Sequence, residues 1–301
     1  MPFSVLIFGA GQIAAGYDNP LSKAVLTHAH AVCENRNFNL LGFYDIDKRR
    51  GEVAAQKWSA NVYDEPVKAD VIAICTSDKS HPESLRQAIA LQPKIIILEK
   101  PIPQELNSIA KILEISIKTP IQVNFTRRYV REFQDLALKI KEYGNFITGN
   151  GLYGKGFIHN GSHMLDLLRL LVGEIENIEV LNTFSDFYPD DPTKTVRINF
   201  NKSDEFFMQG IDCRNYTVFE LDLCFENARI RVIDSGYKIQ IYKPKKSDKF
   251  IGYSYLHLNN EINTQMDYAM QNLYQNVHNF LSYGDQLLSP IQNAFVKALY
   301  D

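Results

Sequence analysis

Lys100 stands in Glu99-Lys100-Pro101, directly after the apolar run Lys94-Ile95-Ile96-Ile97-Leu98. That places a positive charge at the carboxyl end of an expected buried strand, the edge where open α/β sheets bind ligands. On position alone a solvated surface lysine fits as well. A second group of reactive side chains is His159-Asn160-Gly161-Ser162-His163, with Asp166 and Arg169 following. Ser162 is expected to cap a helix, with His163 in its first turn beside Leu165, Leu168 and Leu171. An isolated histidine there also fits a satisfied core residue. His159 and His163 are four residues apart, but Gly161 argues against one continuous helix between them, and no Glu follows the first His. A metal site is therefore not expected.

The amino terminus carries a third pattern. Phe3 to Phe8 is a short apolar run that passes into Gly9-Ala10-Gly11-Gln12-Ile13-Ala14. In this G-x-G-x-x-A form Gly9 allows the tight turn, Gly11 lets the backbone approach a pyrophosphate, and Ala14 lets helix and strand pack closely. A helix is expected to follow, its unpaired N–H groups facing the phosphates. Asn39 to Tyr44 reads as the second strand, and Asp45 at its end suits the ribose hydroxyls. That favours NAD, whereas Lys48, Arg49 and Arg50 leave NADP open. The interval to Asp45 exceeds the usual spacing of about 20 residues. The excess, from Gly16 to His30, reads either as a loop inserted near the cofactor or as a surface excursion.

Around these residues the expected elements alternate. Asp70 to Cys75 is a strand, followed by the polar loop Thr76-Ser77-Asp78-Lys79. Ser80 to Glu83 has capping-box spacing ahead of a helix through Leu91. His81 sits at that helix start, either as an exposed residue or as a cofactor or substrate contact. The strand ending at Glu99, a helix over 104–116 and the strand Ile121–Asn124 complete a parallel sheet wound on both faces.

Beyond Asn124 the pattern changes to a helix up to Gly144 and an amphipathic helix over about Ser162–Val172. Strand-like runs follow over 175–181, 195–200, 205–212, 217–225, 228–233 and 237–242, spaced as in a largely antiparallel sheet. Helices over 264–283 and from Pro290 close the chain. The expected architecture is an α/β Rossmann domain over 1–124, then an α+β domain with a largely antiparallel sheet over 125–301.

The bulk properties narrow the function classes. A chain of 301 residues with a formal charge of −3 has no basic footprint for nucleic acid. Cys33, Cys75, Cys213 and Cys224 are scattered without a C-x-x-C pair, which fits a reducing, cytoplasmic setting better than a disulfide framework. No run approaches membrane-spanning length. Lys243 to Lys249 is the one marked charge run, expected as a solvated hairpin turn.

Together these features resemble the glucose-fructose oxidoreductase / inositol 2-dehydrogenase / MocA family of NAD(P)-dependent oxidoreductases. The resemblance rests on the opening GAGQIA, on the loop carrying His81, on Glu99-Lys100-Pro101, and on Gly161-x-His163-x-x-Asp166. It implies a cofactor-binding set of Gly9, Gly11, Gln12, Ile13, Asp45, Thr76, His81 and Glu99, with NAD as the cofactor and NADP the alternative. It also implies that Lys100 and His163 lie beside the reacting hydroxyl of a sugar, cyclitol or sugar nucleotide. Family members often carry an acidic residue four positions before the helix histidine, where this chain has His159. A carboxylate there raises the basicity of its neighbours, whereas a second imidazole lowers it by repulsion when protonated.

Hydride transfer from a secondary alcohol requires loss of the hydroxyl proton as the carbonyl forms, so a base working near neutrality is needed. His163 suits that role, with His159 orienting or relaying. Lys100 suits stabilisation of the developing charge on oxygen. The expected function is hydride exchange between nicotinamide and a sugar carbon, most simply in a sugar nucleotide because arginines such as Arg127, Arg128 and Arg214 are at hand. A non-catalytic, dinucleotide-gated binding protein of the same fold is the alternative. A homo-oligomer is expected, because the antiparallel sheet has a face to cover.

Overall fold

The computed structural model of the protein describes residues 1–102, 114–200 and 204–294. Among the described residues the chain forms two compact units: Met1–Tyr129 with 267–294, and Val130–Met266. Among the described residues no helix is long and apolar enough to cross a membrane.

In the first unit the strands are β1 (Phe3–Phe8), β2 (Phe38–Tyr44), β3 (Asn61–Tyr63), β4 (Val71–Ile74), β5 (Ile95–Leu98) and β6 (Ile121–Val123). They form one all-parallel sheet in the order β3-β2-β1-β4-β5-β6. This is the doubly wound order, which reverses between β1 and β4. Every residue of β4, β5 and β6 is buried, the mark of strands covered on both faces. Leu6, Phe8, Ile72, Ile74, Ile96 and Leu98 share one core with Leu85 and Ala88 of the helix His81–Ala90. Each such side chain contributes roughly 1.5–3 kcal/mol by leaving water.

Three local expectations change. The glycine loop leads into a five-residue π turn, Gln12–Gly16, rather than a long helix. Lys57 Nζ and Trp58 Nε1 donate to Ala15 O at 2.7 and 3.0 Å, which satisfies the end of that turn. The first true helix is His28–Glu34, with Thr27 Oγ1 accepting from His30 N at 3.2 Å as its cap. Between them the inserted stretch is pinned by the buried Asp18 carboxylate, which accepts from Leu26 N (2.6 Å) and Thr27 Oγ1 (2.6 Å) and pairs with His30 Nδ1 (2.8 Å). The capping box at Ser80 and Glu83 does not form. The preceding turn Asp78–Ser80 already holds Ser80 in helical conformation (φ −92°, ψ −12°), so its side chain is not presented to cap. The helix expected over 104–116 lies largely outside the described residues.

The end of the chain also departs from a 125–301 domain. Helix Ala269–Tyr283 belongs to the first unit, where it buries Ala269, Met270, Leu273, Tyr274 and Val277. Tyr274 meets Phe38 edge-on with ring centroids 5.3 Å apart. Val123 N donates to Ser289 O at 2.9 Å, so the chain beyond the helix continues along β6. An apolar helical face with a strand surface to cover decides this placement, and its distance along the chain does not oppose it.

In the second unit the strands are β7 (Phe146–Tyr153), β8 (Asn177–Tyr188), β9 (Asp191–Asn199), β10 (Glu205–Gly210), β11 (Phe219–Phe225), β12 (Ala228–Ile233), β13 (Lys238–Lys246) and β14 (Ser254–Asn263). Their order is β14-β13-β12-β11-β7-β10-β9-β8, antiparallel throughout except for the parallel pair β7–β10. Helix Ser162–Leu171 buries Met164, Leu165, Leu167, Leu168 and Leu171. Lys243 to Lys246 are strand residues paired with β14, and the bend begins only at Asp248. The first part of the charge run therefore decorates a strand, and only Ser247 to Lys249 lie in the hairpin connection expected of the whole run.

Candidate functional site

The glycine loop lies at the carboxyl end of β1. Gly9 has φ +87°, and a Cβ there would stand 2.7 Å from the Cys75 carbonyl oxygen, so only glycine makes this turn. A Cβ on Gly11 would meet nothing within 4 Å, which leaves open space over the loop for a phosphate to approach. Asp45 closes the loop from the end of β2: Ala10 N donates to Oδ2 at 2.7 Å and Asp47 N to Oδ1 at 2.8 Å. Each oxygen keeps a further lone pair for a ribose hydroxyl. These residues fit a dinucleotide, with Gly9 and Gly11 forming the phosphate cradle and Asp45 placed for the ribose. Because Gln12–Gly16 is a single turn, the cradle rests on loop N–H groups more than on a helix dipole. Lys48 Nζ pairs with Asp64 at 2.9 Å, and Arg50 lies 3.9 Å from Asp45 and 3.6 Å from Asp47. Both cations therefore already have carboxylate neighbours.

Glu99 and Lys100 follow β5 on the same carboxyl edge of the parallel sheet, and the Lys100–Pro101 peptide is cis. Glu99 is buried. Its Oε1 accepts from Asn124 Nδ2 at 2.5 Å and lies 2.8 Å from His28 Nε2. His28 Nδ1 lies 3.0 Å from the hydroxyl of the buried Tyr274. Burial alone pushes the Glu99 carboxyl up. The hydrogen bond and charge of His28, with Asn124 and Lys100, outweigh it and hold the carboxyl below its ordinary value. Burial pushes the Tyr274 phenol well up, so it serves as a neutral hydroxyl. His81 is fully buried, with Nδ1 3.1 Å from Pro101 O and Nε2 3.2 Å from Thr76 O. Its ring ties the loop after β4 to the loop after β5. Thr76 Oγ1 lies 3.0 Å from Ser84 Oγ.

In the second unit the turn Phe157–Gly161 runs directly into helix Ser162–Leu171. Ser162 therefore lies inside helical structure and makes no cap, against expectation. Gly161 (φ −60°, ψ −36°) does not break the path. Its missing side chain instead admits Met208 and Tyr153, which a Cβ would meet at 2.8 and 2.9 Å. His163 is half-buried in the first turn. His159 Nδ1 lies 2.6 Å from Asp191 Oδ2, and its ring stacks on Tyr188 with centroids 4.0 Å apart and planes at 14°. Of the other polar side chains near this segment, Tyr153 donates its hydroxyl to Lys194 O at 2.6 Å, and burial raises its phenol. Arg214 pairs with Asp212 on the surface.

Sequence reasoning missed His28, Tyr274 and Asp191. Thr27-His28-Ala29-His30 carried a cap signal that would have marked the His28 helix. Asp191 lies in Pro189-Asp190-Asp191-Pro192, which reads only as a turn.

Residues 3–125 match the family described as GFO_IDH_MocA, an oxidoreductase family with an NAD-binding Rossmann fold. No curated protein sequence matches the chain. Among solved structures, the chain is similar to UDP-N-acetylglucosamine 3-dehydrogenase from Acidithiobacillus ferrooxidans, with a TM-score of 0.79 and 13% identity over 100% of this chain and 96% of that one. A myo-inositol dehydrogenase from Corynebacterium glutamicum aligns with a TM-score of 0.72 and 16% identity, covering 99% and 94% of the two chains. Biliverdin reductase from a Synechocystis species, in complex with biliverdin and NADP+, aligns with a TM-score of 0.74 and 13% identity over 100% and 98%. At such identities these likenesses speak for the fold, which in all three extends over both units. Over residues 3–125 the chain thus matches the NAD-binding Rossmann domain of the glucose-fructose oxidoreductase / inositol 2-dehydrogenase / MocA family, a family of oxidoreductases.

Proposed function

We propose that the protein transfers a hydride between the nicotinamide of NAD and a secondary alcohol or ketone carbon of a sugar, with a sugar nucleotide as the favoured substrate. The observation that carries this reading is the shared edge of the parallel sheet. The glycine loop after β1 and Lys100 after β5 both lie at its carboxyl ends, where such sheets bind ligands. The bound cofactor supplies the hydride acceptor or donor. Lys100 hydrogen-bonds the substrate oxygen and stabilises its developing charge, while His159 and His163 handle the proton. The name of the Acidithiobacillus enzyme and the arginines Arg127 and Arg128 support the substrate class. Turnover of UDP-N-acetylhexosamines with NAD+ is the test. Reaction with myo-inositol alone would replace the sugar nucleotide by a cyclitol.

Asp45 supports NAD over NADP, because a 2′-phosphate would meet its carboxylate while Lys48 and Arg50 already face Asp64, Asp45 and Asp47. We expect NADH to bind at least about tenfold more tightly than NADPH, the scale of one charged hydrogen bond at roughly 1.5–3 kcal/mol. Asp45→Ala should narrow the gap. Fluorescence titration with both cofactors measures it, and tighter NADPH binding by the parent would reverse the assignment.

A homo-oligomer is part of the same reading. The outermost strands of the antiparallel sheet carry exposed Val180, Leu181 and Phe187 on β8, and exposed Tyr255, Leu256 and Leu258 on β14. A second copy would cover such a surface. Light scattering at micromolar concentration should show a dimer or larger, and a monomer would refute it.

A further inference from the structure

His159 occupies the position where relatives often carry a carboxylate, and the fold returns a carboxylate to it from elsewhere. Asp191, the first residue of β9, follows the two-residue turn after β8 and is buried. Its Oδ1 accepts from Ile158 N at 3.0 Å, and its Oδ2 accepts from His159 N at 2.8 Å and faces His159 Nδ1 at 2.6 Å. Gly156, at φ +84°, admits this approach, because a Cβ there would collide with the Asp191 carboxylate. Tyr188 stacks flat on the other side of the imidazole. A short charge-assisted contact and an aromatic face thus both hold the ring.

We propose that Asp191 is a positioning residue that fixes His159 as the Nδ1–H tautomer, so that His159 Nε2 rather than His163 is the base of the hydride-transfer reaction. A carboxylate on Nδ1 leaves the Nε2 lone pair as the proton acceptor and stabilises the imidazolium that forms, the logic by which an aspartate orients a catalytic histidine elsewhere. The alcohol O–H proton passes to Nε2 as the carbonyl double bond forms, and the C–H hydrogen leaves with its electron pair to nicotinamide. Asp191 stays ionised throughout. The other ionisable groups on the adjoining segments include Asp186, Asp190, Lys155, Lys194, His163, Asp166, Arg169, Tyr153 and Tyr188, and Lys194 Nζ lies over the Phe157 ring at 5.0 Å. Asp186 is already engaged by Lys155 N and Thr193 Oγ1, both at 2.8 Å. Asp191 supplies a carboxylate hydrogen-bonded to the imidazole.

The inference rests on the oxidoreductase reading for its kinetic arm only. In the full chain with NAD+ bound and the imidazoles 15N-labelled, NMR should show His159 protonated on Nδ1 near neutral pH. Asp191→Asn should shift the ring toward the Nε2–H form, lower kcat at least about 100-fold with little change in KM, and move the acid limb of the rate profile to lower pH. Asp191→Glu should restore part of the rate. His159→Gln, which leaves the backbone contacts of Asp191 in place, should be more damaging than His163→Gln. An Nε2–H ring in the parent, or a parental rate and pH profile in Asp191→Asn, would overturn the proposal. So would a His163→Gln enzyme that is dead while His159→Gln is active. Failure of the parent to turn over any sugar would sink the substrate reading, and the tautomer would still judge the His159–Asp191 pair.

Discussion

Substituting Lys100 by methionine is expected to lower turnover about 10²–10³-fold while leaving dinucleotide binding in place, the scale seen when a preorganised donor to a developing oxyanion is lost. Methionine keeps much of the apolar stem and removes only the ammonium, so the loss reports charge and hydrogen bonding rather than packing. The glycine loop and Asp45 are contributed by β1 and β2, which explains why cofactor affinity should survive. Lys100→Arg should recover little, because a planar guanidinium does not place a compact charge at one oxygen. Stopped-flow measurement of hydride transfer, beside a cofactor titration of the same variant, makes the comparison. Near-parental turnover in Lys100→Met would remove the lysine from the mechanism.

Truncating its neighbour should act on the fold instead. Glu99→Ala removes the buried acceptor shared by His28 Nε2 and Asn124 Nδ2, and breaking such a pair costs about 3–5 kcal/mol. The pH dependence has a definite sign. The Glu99 carboxyl is held below its ordinary value in the folded protein, so its contribution is fully present above the unfolded glutamate value and is lost as pH falls through the folded one. Denaturant unfolding of the parent should therefore weaken on the acid side. Glu99→Gln, which keeps an acceptor but no charge, should lose less at neutral pH and show a flatter acid limb. Equal stability of Glu99→Ala and the parent at pH 7 would show that His28 and Asn124 find other partners. Because Lys100 adjoins Glu99 along the backbone, the same network steadies the segment that presents the lysine.

The apolar runs of β1, β4 and β5, the G-x-G-x-x-A loop and Glu99-Lys100-Pro101 were legible in the sequence, because two-sided burial and tight turns are written in consecutive residues. The amphipathic helix Ser162–Leu171 was legible for the same reason. Three strands were not, the three-residue β3 among them. β7 contains Thr148-Gly149-Asn150-Gly151, which reads as a turn, yet the glycines are strand residues where a Cβ on Gly151 would stand 2.7 Å from Met164 Sδ. β14 is exposed over most of its length at the sheet edge and mixes apolar with polar residues, so it shows little alternation. Tertiary structure alone decided the partners of the reactive groups. His159 meets Asp191 across 32 positions, His28 meets Glu99 across 71, and His28 meets Tyr274 across 246. Local pattern encodes which backbone an individual segment adopts. Which buried donor finds which acceptor depends on how sheets and helices close over one another, and that is settled only when burial makes an unpaired polar group costly.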